Sequence, residues 1–124
     1  MVLPQETVLI LGAAGRQGGA IATELLKTQT CAVRGMTRDP SKGICKDLGR
    51  RGLQLVQGDL DHSATLKEPF QGVTTAFILT DFWDQSSHLT ELDQGMNAVE
   101  AALNAGVRNI VFRWSKHAHV AKIR

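Results

Sequence analysis

Three glycines spaced by two residues, Gly12, Gly15 and Gly18, are the residues of this chain best suited to chemistry, and that chemistry is phosphate binding. A glycine at the first position permits a sharp exit from a strand. One at the second lets the backbone approach a pyrophosphate with no Cβ in the way, and one at the third lets a helix pack closely on the strand. The N–H groups of that helix's first turn, with roughly half a positive charge of dipole behind them, then face the phosphates. The spacing G-x-x-G-x-x-G is a relative of the G-x-G-x-x-G dinucleotide fingerprint, and it carries weight only where a strand precedes it and a helix follows.

Both flanks are present. Val8, Leu9, Ile10 and Leu11 form an uninterrupted apolar run, as expected of a strand covered on both faces of a parallel sheet. Beyond the glycines, Ala20, Ile21, Ala22, Leu25 and Leu26 recur at three- and four-residue spacing and place one apolar stripe on a helix. A second strand is predicted over 31–37 (CAVRGMT), ending in Arg38, Asp39 and Pro40. In a dinucleotide fold this is where the adenosine ribose is met: a carboxylate favours the free 2′-hydroxyl and an arginine accommodates a 2′-phosphate. Counting from Gly18 does not separate Arg38 from Asp39. Residue type favours Arg38, whose guanidinium makes a charge-assisted, bidentate phosphate contact. Asp39, just before Pro40, is suited to capping the next short helix, expected over 41–49. The expected cofactor is therefore NADP, with NAD weaker.

A third strand, around Leu53, Leu55 and Val56, leads into Gly58, Asp59 and Leu60. Asp59 is placed to hydrogen-bond an adenine amino group, and it is equally suited to forming a turn or capping the segment from Ser63. A brief helix broken by Pro69 and closed by Gly72 follows, then a fourth strand over 73–80 (VTTAFILT). Leu89, Leu92, Met96, Val99 and Leu103 repeat at helical spacing and read as the core face of one long helix packed on the sheet, with Gly106 as its stop. A fifth strand is expected over 109–112. Strands alternating with helices predict right-handed crossovers and an α/β fold: a Rossmann-type, doubly wound parallel sheet of order 3-2-1-4-5, with its switch point between strands one and four. The crevice lies there, opened by 12–18 on one side and 80–83 on the other. Phe82 and Trp83 either wall a nicotinamide or substrate pocket or anchor their loop onto the domain.

A chain of 124 residues with 43% apolar and 21% charged residues is the size and composition of one globular domain. Its net charge of +2 is too small to argue for nucleic acid, but it is unevenly spread. Residues 113–124 hold Arg113, Lys116, Lys122 and Arg124 and no acid, so 1–112, with ten basic and twelve acidic residues, carry −2. The division read from this is an NAD(P)-binding domain over 1–112 and a basic tail over 113–124. No apolar run is long enough for a membrane span, and no signal pattern opens the chain, so a cytoplasmic protein is expected. Cys31 and Cys45 show no metal-type or paired spacing and are expected to be reduced thiols. No metal site is expected.

The glycine turn GAAGRQGG, TRDP after strand two, QGDL after strand three, FILTDFW of strand four and AGVRNIVF of strand five together resemble the NmrA-like family, its vertebrate branch in particular. That family is an atypical branch of the short-chain dehydrogenase superfamily, related to isoflavone reductases. Its best-known members bind NADP and act as redox-responsive regulators. The resemblance implies that Gly12, Gly15, Arg16, Gln17 and Gly18 hold the pyrophosphate and Arg38 the 2′-phosphate. It assigns Asp59 with Leu60 to the adenine, and Thr80, Asp81 and Phe82 to the nicotinamide half. It implies a redox sensor in transcriptional regulation, cytoplasmic with access to the nucleus, with a regulatory protein partner and no direct contact with nucleic acid or membrane.

The motifs stop after the fifth strand, where the family continues with a further strand and a smaller substrate or partner domain, so the sheet reads as truncated. No tyrosine occurs in the chain, hence none for a proton relay, and no catalytic residue is assigned. Ser115, His117 and His119 lack an acid to orient a histidine. A non-catalytic NADP-binding regulatory module is the leading expectation, and a fragment of an NADPH-dependent oxidoreductase of the isoflavone-reductase type is the alternative. The fifth strand, with Ile110, Val111 and Phe112, is expected to be an open apolar edge that invites self-association.

Overall fold

The structure, a computed structural model, describes residues 6–13, 15–79, 91–114 and 117–122, with positions 91, 114 and 117–122 as backbone alone. Strand β1 (Thr7–Leu11) feeds helix α1 (Arg16–Thr28), and β2 (Ala32–Thr37) feeds α2 (Gly43–Arg50). After β3 (Gln54–Gln57) come a 3-10 turn (Ser63–Thr65) and a four-residue helix α3 (Lys67–Phe70). Strand β4 (Thr75–Leu79), helix α4 (Glu91–Ala105) and strands β5 (Asn109–Trp114) and β6 (His117–Lys122) complete the order. The sheet runs β3-β2-β1-β4-β5-β6, its first five strands parallel in the expected 3-2-1-4-5 order.

Strand β1 is central and buried on both faces, which is why it is apolar at every position from Val8 to Leu11. Val8 and Ile10 join Ala22, Val33, Leu48 and Leu53 in the core beneath α1 and α2. Leu9 and Leu11 join Leu66, Phe70, Ile78, Ala98, Ala102 and Ile110 beneath α3 and α4. Each Val, Leu, Ile or Phe side chain so buried contributes about 1.5–3 kcal/mol, and the period of two divides the strand's contribution between the two layers. Arg34 on β2 ties the sheet to the turn after α3: its Nη1 donates to the carbonyl oxygens of Pro69 at 2.8 Å and Gln71 at 2.6 Å.

Two expectations are corrected. Of the large apolar residues expected on the core face of α4, Val99 packs against the core, but Met96 is 63% exposed, Leu103 51% and Leu92 48%, and Leu89 lies outside the described residues. The face on the sheet is made of Gln94, Gly95, Ala98 and Ala102, all buried. Both stripes have the same helical period, so periodicity does not choose between them. The small residues bring the helix axis closer to the strands than leucine or methionine would allow.

The second correction concerns the fifth strand, which is not an open edge. It continues to Trp114, and 117–122, read as part of a basic tail, pair with it antiparallel from Asn109↔Lys122 to Trp114↔His117. Unpaired backbone groups along β5 are satisfied by whatever chain can lie beside them. That demand acts through main-chain atoms, which composition does not reveal.

The packing of α4 makes a direct prediction. Ala98→Leu overfills the helix–sheet contact and is expected to lower stability by about 1–3 kcal/mol, whereas Met96→Gln should stay within about 0.5 kcal/mol of the parent. Urea denaturation of both variants measures it; the reverse ranking would mean that the large residues face the sheet after all.

Candidate functional site

The site is built where β1 ends. Gly12 adopts φ +76°, a left-handed conformation that side chains avoid, and its carbonyl oxygen accepts the Gly15 N–H at 2.9 Å. The chain thereby reverses within one turn and enters α1 with Gly15 as N-cap. The contact that fixes the helix is at Gly18: a Cβ there would lie 2.1 Å from the Gly12 oxygen and 3.0 Å from the Ala13 Cα. Only glycine lets the first turn of α1 sit so close to the strand exit, the role expected of the third glycine. Gly15 is less constrained in space, since its Cβ would meet the Gly12 oxygen at 3.2 Å.

The first intrahelical bond of α1 is Gly19 N–H to Gly15 O at 2.8 Å, so the N–H groups of Arg16, Gln17 and Gly18 head no bond within the helix. Among the described residues no side chain caps this terminus, and no acid stands in its first turn. The positive end of the helix dipole is thus presented beside the exits of β1 and β4, where the sheet order reverses. Gln17 is exposed, and Arg16 lines a groove along α1 toward Ile44 of α2.

The exits of β2 and β3 are joined to each other. Gly58 N–H donates to Thr37 O at 3.1 Å, and Gln57 Nε2 donates to Arg38 O at 3.1 Å. Because the strands are parallel, the Arg38 and Asp59 loops lie on the same edge of the sheet as the glycine turn. Arg38 is exposed. Asp39 is held in its own turn, where Oδ1 accepts the Ser41 N–H at 3.0 Å and also the Ser41 hydroxyl. The Ser41 hydroxyl, then its N–H and the nearby Lys42, hold the Asp39 carboxyl below the usual aspartate value. Asp39 does not cap α2, whose N-cap is Lys42; it closes the turn before it.

Asp59 also serves a turn: Oδ1 accepts the Asp61 N–H at 2.9 Å, and its own N–H donates to Thr65 Oγ1 at 2.9 Å. Its Oδ2 lies 3.9 Å from His62 Nε2. Leu60 packs against the core beneath α4, and its carbonyl oxygen accepts Asn97 Nδ2 at 2.8 Å. Thr80, Asp81, Phe82 and Trp83 lie outside the described residues. Among the described residues no cluster of His, Cys, Asp or Glu is placed to hold a metal ion, and Cys31 and Cys45 are free thiols.

Sequence reasoning missed Gly35. A Cβ on this β2 residue would meet the Ala13 Cβ at 2.7 Å and Leu53 Cδ2 at 3.0 Å, so the strand makes room for the glycine turn folding over it. The signal was present as a lone glycine inside a strand pattern. Also missed were Gln94 and Asn97, which reach the Asp59–Asp61 loop from α4.

A parallel sheet wound outward from its first strand, with a glycine turn leading into an uncapped helix at the switch point, defines the Rossmann-type NAD(P)-binding domains. The NmrA-like family model matches residues 4–122, and the chain belongs to that family. Its curated relatives include the NmrA-like family domain-containing oxidoreductases FrzB of a Cladobotryum species and ptmS of Penicillium ochrochloron. FrzB is 33% identical over 109 residues, covering 85% of this chain and 32% of its own length. For ptmS the figures are 33% over 118 residues, 90% and 35%. The chain thus spans about a third of the length of these fungal relatives.

Among solved structures, a mutant NmrA superposes with a TM-score of 0.77 at 25% identity, over 89% of this chain and 33% of its own. The NADPH-dependent quinone oxidoreductase QOR2 of Escherichia coli, complexed with NADPH, gives 0.70 at 25% over 85% and 35%. Triphenylmethane reductase of a Citrobacter species, complexed with NADP(H), shares the fold at 0.70 and 24% identity over 86% and 36%.

The Asp39 turn predicts a titration. A carboxyl with a lowered pKa lends its turn stability that is complete above the ordinary aspartate range and lost as pH falls through the lowered value. Carbon-detected NMR of Asp39 should find it ionised below the usual midpoint, and Ser41→Ala, which removes the hydroxyl and keeps the N–H, should move that midpoint part of the way back toward the ordinary value. An unshifted midpoint in the parent would show that Ser41 does not hold the carboxylate.

Proposed function

We propose that this domain binds NADP(H), with the pyrophosphate on the glycine turn and the first turn of α1, over Gly12, Gly15, Arg16, Gln17 and Gly18. The observation that carries the reading is the close approach at Gly18, which drives an uncapped helix terminus against the strand exit at the switch point. Arg38 then reads the 2′-phosphate, since the Asp39 Oδ1 is engaged by Ser41. The loop at Asp59 and Leu60 faces the adenine, and Thr80, Asp81 and Phe82 receive the nicotinamide half. NAD, without the 2′-phosphate, binds more weakly.

The domain works as a redox-sensing regulatory module, occupied according to the cellular NADP(H) state and read by a protein partner in the cytoplasm and nucleus. The motif likeness to the vertebrate branch of the family supports this, as does the lack of any tyrosine to relay a proton. Direct contact with nucleic acid or membrane has no part in it. A second reading has its own support: the fungal relatives are named oxidoreductases and are about three times as long. In that reading the domain supplies the NADPH site of an isoflavone-reductase-type enzyme, and the substrate site lies in sequence beyond the match.

Fluorescence titration and thermal melting test the nucleotide binding that both readings share. Ligand that binds only the folded state stabilises it by about 2.7 kcal/mol at a hundredfold excess over Kd, so NADPH should raise Tm and ATP should not. Gly15→Val should cut NADPH affinity at least tenfold, and unchanged affinity would remove the glycine turn from the site. Arg38→Ala should lose most of the preference for NADP over NAD, a contact of about 1.5–3 kcal/mol, or about ten- to a hundredfold; undiminished discrimination would shift suspicion to Arg16. Steady NADPH oxidation by this chain with quinone or aldehyde substrates would decide for the enzyme.

A further inference from the structure

The loop that leaves β3 is gripped from the helix layer. Gln94 and Asn97 stand three residues apart on α4, hence on neighbouring positions of one helix side. Gln94 Nε2 donates to Asp61 Oδ1 at 2.9 Å, and Asn97 Nδ2 donates to Leu60 O at 2.8 Å. The two bonds hold the residues that immediately follow Asp59. Gln94 is 6% exposed and sits on a helix face otherwise made of Gly95, Ala98 and Ala102. Burying an amide in such a place is unfavourable unless it is hydrogen-bonded. Packing alone would be served by an apolar residue of the same volume, so the amide is explained by what it holds.

Among the described residues, other bonds of the loop run elsewhere: Gly58 to Thr37 on β2, Asp59 to Thr65 in the 3-10 turn, His62 to the Asp59 carbonyl, and Asp61 back to Asp59. None of these reaches α4, whereas the bonds from Gln94 and Asn97 do, one through a side chain and the other through a main-chain carbonyl, beside the packing of Leu60 on the core. We propose that Gln94 and Asn97 are positioning residues for the adenine half of the nucleotide site. They fix the height of the Asp59–Leu60 strip above the sheet edge and so set affinity for an adenine nucleotide, without touching the ligand. The inference rests on the nucleotide reading above.

The test uses the 124-residue chain and the variants Gln94→Leu and Asn97→Ala, with folding checked by circular dichroism and melting. The probes are NADPH, adenosine 2′,5′-bisphosphate for the adenine half and nicotinamide mononucleotide for the other half. Both variants should lose about tenfold or more in affinity for NADPH and, by the same factor, for the bisphosphate, with nicotinamide mononucleotide unaffected. A purely structural role would lower Tm without that split. In the ligand-free chain, amide hydrogen exchange at 59–61 should be slow in the parent and accelerate in both variants. Folded variants that bind the bisphosphate as the parent does, or unchanged exchange at 59–61, would overturn the proposal. A parent that binds neither NADPH nor the bisphosphate would instead overturn the nucleotide reading, while hydrogen exchange still decides whether the two amides hold the loop.

Discussion

The structure depends on how closely the first turn of α1 approaches the exit of β1. With a Cβ at Gly18 only 2.1 Å from the Gly12 oxygen, any other residue would push the helix off the strand or force the turn open. The approach has consequences in both directions. Toward the site, it brings three helix N–H groups to the sheet edge, with no side chain among the described residues capping them. Toward the core, it presses Ala13 onto β2, which must then carry Gly35 at the point of contact. One backbone contact thus fixes the register of the turn against two neighbouring strands.

The opposite layer follows a related rule. Helix α4 approaches the sheet through Gly95, Ala98 and Ala102, and Leu92, Met96 and Leu103 are left outward. Close packing of small residues gains dispersion contacts between helix backbone and strand side chains that a leucine would hold apart. The exposed stripe of Leu92, Met96 and Leu103 is the cost of that arrangement.

The polar side chains at the carboxyl edge are occupied with local structure. Asp39 and Asp59 each spend an oxygen on the N–H two residues ahead, and Thr37 ties its own loop through the Asp39 N–H. A loop that closes on itself in this way is pre-organised, so a ligand meeting it has less conformational entropy to remove. The same architecture is found in a family whose curated relatives are named oxidoreductases, and in the solved structure of a quinone oxidoreductase.

The parallel order 3-2-1-4-5, the glycine turn and the boundaries of most elements were legible in the sequence. They are written in local terms: an apolar run between turn residues, a glycine spacing, a helical period closed at Gly106, whose φ of +78° is the stop that was expected. Two matters were decided only by tertiary structure, and a third by local turn geometry. Which stripe of α4 faces the sheet depends on the spacing between layers, and a period of 3.6 residues is the same for a stripe of alanines as for a stripe of leucines. Whether 117–122 form a strand depends on the unmet hydrogen bonds of β5, a backbone property carried by no side chain. The duties of Asp39 and Asp59 depend on which donor reaches the carboxylate first. In the folded chain those donors are the N–H groups two residues ahead, close enough that each turn claims its own acid.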